Sequence, residues 1–207
     1  IKLKKINKNN NLKEYSDKVL RFEINLFYEW YIKKNKKLNL SSKDYDELIN
    51  TFETIINYNK SQTNCFVHRD FHSRNLMILS ENDIGIIDFQ DALIGPISYD
   101  LVSLLKDAYF ELDEEFIIDK TVRYWEMACD EKLLQKRDFS DFFLDFEMMG
   151  LQRHLKILGI FSRLSLRDGK HNYLDDLPLV EKYVLKTLER YSALSPLRKI
   201  FIRALNE

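Results

Sequence analysis

The chain has 207 residues, 45% of them hydrophobic and 31% charged, with a formal net charge of -1. That length can bury a substantial core as one domain, and the balanced charge excludes the basic field that sequence-independent nucleic-acid binding requires. No apolar run approaches the roughly 18 residues that span a membrane. Cys65 and Cys129 fit neither a disulfide framework nor a zinc or redox spacing, which points to two reduced thiols in a cytoplasmic protein.

Five glycines and three prolines fall below the roughly 14 and 10 of average usage, so tight turns are few and helices long. The expected class is α+β, predominantly helical. Residues 1–11 are basic and Asn-rich without the apolar stretch of a signal peptide, and are expected to fray. From about Leu12 to Lys37 the periodicity is helical, with Val19, Phe22, Leu26 and Trp30 as the apolar stripe and Leu20, Ile24, Phe27 and Tyr31 widening it. A second helix is expected from an N-cap at Ser42 to near Tyr58, with Asp44, Asp46 and Glu47 in its first turns. "NKSQTN" reads as a loop. Short strands are expected at 65–67, 76–79 and 84–87, then a loop, "FQDALIGPIS", with a Gly-Pro breaker. Beyond it the chain is helical nearly to its end. "SYDLVSLLKDAYF" has Ser98 as N-cap, "DEEFIIDKTVRYWEMACD" opens with acids, and the long aromatic helix from Asp138 stops at Gly169. "LPLVEKYVLKTLERYSAL" and "SPLRKIFIRAL" follow, the last with Pro196 at its first helical position.

The informative stretch is "FVHRDFHSRNLMIL", from Phe66 to Leu79. An apolar strand delivers His68, Arg69 and Asp70. Asn75 starts the next strand, and a third strand ends at Asp88-Phe89. Asp70, Asn75 and Asp88 are thereby expected at one rim. An amide oxygen and a carboxylate, Asn75 and Asp88, suit Mg²⁺, which takes hard oxygen ligands and fills its remaining positions with water and phosphate. Asp70 can then accept a hydrogen bond from a substrate hydroxyl and orient it for in-line attack on a phosphoryl group. His-Arg-Asp-x4-Asn followed by Asp-Phe is the kinase catalytic-loop spacing. His68 is expected to pack and hydrogen-bond within the loop.

"HRDFHSRNL" followed by "IIDFQDALIGPISYDLVSLL" resembles the aminoglycoside phosphotransferase and choline kinase superfamily. More narrowly, these stretches and "FEINLFYEWYI" resemble the bacterial kinases of N-acetylmuramate and N-acetylglucosamine. The resemblance implies a protein-kinase-like fold, ATP as co-substrate and Mg²⁺. It implies Asp70 as the catalytic aspartate and Asn75 and Asp88 as metal ligands. His68, Arg69 and Asp100 would be structural supports of the loop. His72, Arg74 and Asp91 are candidate substrate contacts, and Gln90 stands where protein kinases carry the glycine of Asp-Phe-Gly. The chain passes from Asp88 to a helix by about Tyr99, which leaves no room for the activation segment of a protein kinase.

No Gly-rich phosphate loop, no Val-Ala-Ile-Lys-like strand and no partner helix precede the first helix. The whole of 1–207 is therefore expected to be the C-terminal, substrate lobe of a kinase-like fold, with a few short strands around the catalytic loop. The N-terminal ATP-binding lobe is expected elsewhere in the same polypeptide. The partners implied are ATP and a small hydroxylated molecule, an amino sugar foremost, with no nucleic acid and no membrane. Two other readings remain open. One is an aminoglycoside or choline-type kinase, for which the acidic "LDEE" and "LDD" runs could offer a cation pocket. The other is an inactive lobe that only binds.

Overall fold

The computed structural model describes residues 12–81, 83–135 and 138–207; the fraying expected of residues 1–11 lies outside them. Two compact units are formed. One comprises Asn59–Gly150 with the segment that ends at Ser16, the other Asp17–Tyr58 with Leu151–Glu207. Among the described residues the secondary structure is mainly helical, with four short strands.

The first unit carries the strands. β1 (Asn64–Val67) pairs antiparallel with β4 (Leu93–Pro96), and β2 (Leu76–Ser80) pairs antiparallel with β3 (Asp83–Ile86). β4 replaces part of the expected loop. Its Gly-Pro pair sits at the strand end opposite Asn64 and Cys65, where proline's missing N–H interrupts little. The expected helix from Leu12 does not begin there. Residues 13–15 lie extended against β4 instead, with Tyr15 N–H donating to Ile94 O at 2.8 Å and Ile94 N–H to Lys13 O at 2.8 Å. α3 (Tyr99–Leu105) is shorter than expected, because the backbone leaves the helix at Lys106. Ser98 does not cap it with its side chain; its hydroxyl donates to Gln62 Oε1 at 2.6 Å. α4 (Glu114–Asp130) and the start of α5 (Phe139–Asp168) close the unit over Cys65, Ile97, Ala128, Leu134 and Phe142. Cys129 packs at the edge of this cluster, and neither cysteine is in a disulfide among the described residues. Inside the unit the Lys106 ammonium pairs with Glu147 and lies 5.2 Å from the Phe146 ring centroid, so a buried cation is compensated.

The second unit is helical. α1 (Asp17–Leu26) runs on through a π-helical stretch, Phe27–Asn35, whose end is marked by Lys36 N–H returning five residues to Tyr31 O at 2.9 Å. Within the wide apolar stripe expected here, Leu20, Ile24, Leu26, Phe27 and Tyr31 are buried, whereas Phe22 is 63% exposed. α2 (Ser42–Ser61) is capped by Ser41 rather than Ser42, the Asp44 N–H donating to Ser41 Oγ at 3.1 Å, and it runs three residues past the expected Tyr58. The second half of α5 packs so closely on α1 that a Cβ at Gly159 would lie 2.3 Å from the Leu26 carbonyl carbon. α5 ends at Gly169, φ 68°, a left-handed stop that glycine adopts without strain. α6 (Leu177–Arg190) ends sooner than expected, with Tyr191 extended before a single turn and α7 (Ser195–Leu205). No described helix is long and apolar enough to cross a membrane.

Candidate active site

The charged knot is held by two carboxylates that arrive from α3 and the segment after it. Asp100, in the first turn of α3, accepts the N–H groups of His68 at 2.9 Å and of Arg69 at 3.1 Å, one on each oxygen. Asp107, just beyond α3, accepts the N–H of Ser73 at 2.9 Å and of Tyr109 at 3.1 Å. Both are buried, at 5% and 1% exposure. Asp100 lies in the first turn of α3 and Asp107 in the segment that follows it, so α3 and its exit present the two carboxylates to one loop. They fix both ends of residues 68–73 by charge-assisted bonds to backbone donors. Asp107 was not among the residues singled out from sequence.

The His68 side chain differs from expectation. Its ring is 1% exposed and packs edge-on to Phe71, with centroids 5.9 Å apart, yet neither ring nitrogen has a hydrogen-bond partner among the described residues. The bond that anchors this residue is made by its backbone N–H. Arg69 takes φ 73° and Asp88 takes φ 67°. Left-handed backbone at non-glycine residues stores strain and concentrates at functional sites. Two of the four such positions among the described residues flank this loop; the others are Lys37 and Lys132.

The backbones at Asp70, Asn75 and Asp88 come together at one end of the β2–β3 hairpin. The Asn75 side-chain amide donates to Asp70 O at 2.9 Å, tying the loop's aspartate to the first residue before β2. The register pairs Leu76 with Ile86, and Ile87 N–H donates to Asn75 O at 3.2 Å. Asp88 is thus the next residue past the one opposite Asn75. Gln90 donates its side-chain amide to an Asp88 carboxylate oxygen, and Ala92 N–H closes a turn onto Phe89 O at 3.0 Å. Gln90 therefore orients Asp88, a role that its position alone did not reveal. Asp91 is exposed on this turn and makes no ion pair among the described residues.

Among the described residues, no three His, Cys, Asp or Glu side chains group as a metal cage. The donor set of Asn75 and Asp88 fits a different kind of cation site. With its N–H₂ spent on Asp70 O, the Asn75 amide keeps its oxygen as a donor, and Gln90 engages one Asp88 oxygen, leaving the other. Two hard oxygens of this kind suit Mg²⁺ that retains waters and phosphate oxygens.

Arg74 and His72 converge on Tyr109. The Arg74 guanidinium carbon lies 3.4 Å from the Tyr109 ring centroid, and the His72 ring meets the same tyrosine edge-on at 5.6 Å. Tyr124, from α4, donates its hydroxyl to Ile97 O at 3.0 Å. Burial holds this phenol well above its ordinary pKa, with the Cys65 thiol and the Asp100 carboxylate adding to the effect.

The hairpin itself is not the buried sheet that its apolar sequence suggests. Ile78 is 87% exposed, Leu79 70% and Ile84 64%, and Phe89 beside them 67%. Ile78 and Ile84 are cross-strand partners, so two of these exposed side chains stand together on one face of the hairpin.

Comparison with known proteins accords with this site. The model of the phosphotransferase enzyme family matches residues 13–133. A Neisseria meningitidis serogroup B protein named N-acetylmuramate/N-acetylglucosamine kinase is 42% identical over 207 residues, 100% of this chain and 62% of its own length. A Pseudomonas aeruginosa protein of the same name is 37% identical over 91% of this chain and 56% of its own length. A third, from Pseudomonas putida, is 34% identical over the same shares. The chain thus spans at most 62% of the length of these relatives. The chain belongs to the phosphotransferase enzyme family.

Proposed function

We propose that the polypeptide carrying this chain is an ATP- and Mg²⁺-dependent kinase of a small hydroxylated molecule, an amino sugar of the N-acetylmuramate/N-acetylglucosamine type. The observation that carries the reading is the bond from the Asn75 amide to Asp70 O. It ties the backbone of the candidate base to Asn75, one of the two residues whose oxygens suit a metal–phosphate complex, and this supports the reading. The names of the three relatives support the choice of sugar.

In this reading Asp70 accepts the hydrogen bond of the acceptor hydroxyl, aims its oxygen at the γ-phosphorus and takes the proton late. Asn75 and Asp88 would hold Mg²⁺, which would supply positive charge against the charge that develops on the transferred phosphoryl. Asp100 and Asp107 keep the loop from moving while transfer occurs, which matters because misplacement by about 1 Å can cost 10²-fold in rate. Residues 1–207 are the substrate-side, C-terminal lobe. The nucleotide-binding lobe lies in a further part of the polypeptide and covers the apolar β2–β3 hairpin. The exposure of Ile78, Leu79 and Ile84 and the greater length of the relatives support this placement.

The test is phosphorylation from ATP by the complete polypeptide, with N-acetylmuramate, N-acetylglucosamine, an aminoglycoside and choline as acceptors. Transfer to the two sugars is expected. Transfer only to the aminoglycoside or to choline would replace the amino-sugar assignment, and transfer to none would leave a binding module.

A further inference from the structure

Arg74 is an exposed cation held in a fixed place without an anion. Its guanidinium stacks on Tyr109 at 3.4 Å, and among the described residues it makes no ion pair and no hydrogen bond. Stacking on an aromatic face orients a guanidinium while leaving its planar fork of N–H donors to bond elsewhere. The platform is itself built in. Asp107 takes the N–H of Ser73 and the N–H of Tyr109 with one buried carboxylate, so it locks the loop that carries Arg74 to the segment that presents the tyrosine. His72, on the other side of Ser73, packs its ring on the same tyrosine at 5.6 Å. Arg74 is fixed four residues from Asp70, within the loop proposed to meet the acceptor.

We infer that Arg74, on its Tyr109 platform, reads a carboxylate on the acceptor sugar and is the residue that adapts the site to an acidic substrate. The inference rests on the amino-sugar reading. N-acetylmuramate is N-acetylglucosamine with a lactyl ether, and the lactyl carboxylate is the only charge by which the two differ. A site that takes both can engage the carboxylate with one cation that the neutral sugar leaves unused. A guanidinium suits this task because its paired N–H donors match both carboxylate oxygens.

The experiment compares kcat/KM in the complete polypeptide for N-acetylmuramate, its neutral methyl ester and N-acetylglucosamine. Arg74→Met is expected to lower kcat/KM for N-acetylmuramate about 10- to 100-fold, the range for losing a charge-assisted bond, and to leave N-acetylglucosamine within about threefold. The wild type should already lose a similar factor on the methyl ester, and Arg74→Met should add little to that loss, since ester and substitution remove the same interaction. Arg74→Lys should recover part of the preference by charge alone, and Tyr109→Leu should lose part of it by freeing the guanidinium. Circular dichroism and thermal unfolding check independently that each variant is folded. In a folded variant, equal losses on both sugars would overturn the inference and place Arg74 on a group shared by both reactions, such as the transferred phosphoryl. Unchanged activity on N-acetylmuramate would overturn it as well. A wild type that phosphorylates neither sugar would sink the amino-sugar reading itself, and this inference with it.

Discussion

Asp107 accepts the backbone N–H of Ser73 at 2.9 Å across 34 residues of sequence. With its second bond, to Tyr109 N–H at 3.1 Å, this carboxylate joins the catalytic-loop candidate to the chain beyond α3. Removing it strands two backbone donors in a site that is 1% exposed. Bonds to a charged acceptor contribute about 1.5–3 kcal/mol each, so Asp107→Ala should lose about 2–4 kcal/mol of stability and Asp107→Asn about half that. Urea unfolding with an unchanged m-value would measure it. A loss under about 0.5 kcal/mol would mean that the two bonds carry little.

Two glycines of α5 should respond in opposite directions to the same change. A Cβ at Gly159 would sit 2.3 Å from the Leu26 carbonyl carbon and 2.4 Å from its oxygen. The obstacle is backbone, so Gly159→Ala should force the helices apart and cost about 3 kcal/mol or more. A Cβ at Gly150 would meet Val102 Cγ1 at 3.6 Å, an ordinary contact. There alanine's better helix propensity should stabilise by about 0.5–1 kcal/mol. Thermal unfolding of the two variants side by side reads the difference in sign.

Stability should fall at alkaline pH through buried phenols. The Tyr31 pKa is raised by burial and then by its 2.6 Å bond to Glu181; that of Tyr124 is raised by burial. In the unfolded chain both titrate near about pH 10. Below that value the folded and unfolded states hold the same phenolic protons, and the stability is fully present. Above it the unfolded state loses protons that the folded state keeps, so stability declines as pH rises toward the folded-state values. The decline is at most about 1.4 kcal/mol per pH unit for each group. Melting temperatures between pH 9 and 11 should show a shallower decline for Tyr31→Phe than for the wild type. Parallel declines would contradict it.

The knot of residues 68–75 was legible because its signal is local. The spacing of charged residues between two apolar runs survives whatever the rest of the chain does. Tertiary choices were less legible. Phe22 and Ile24 belong to one wide apolar stripe of one helix, and only the packed partners decide which part of it is buried. β4 was hidden by its Gly-Pro pair, which reads as a breaker until the strand is seen to end there. The early end of α3 has no periodic signature, because it comes from the Asp107 side chain taking backbone donors outside the helix. The exposed hairpin reads as buried sheet because its residues are apolar; pattern alone does not say what covers them.

In the proposed reaction Asp70 receives the acceptor's proton. Asp70→Asn keeps the shape of the side chain and the backbone carbonyl that Asn75 holds, but the amide cannot take a proton. The decisive measurement is single-turnover phosphoryl transfer from ATP to the sugar by the complete polypeptide, wild type against Asp70→Asn, with sugar binding measured in parallel. A loss of about 10²–10⁴-fold in the transfer rate is predicted, with sugar affinity nearly unchanged. Transfer by Asp70→Asn at close to the wild-type rate would contradict the account.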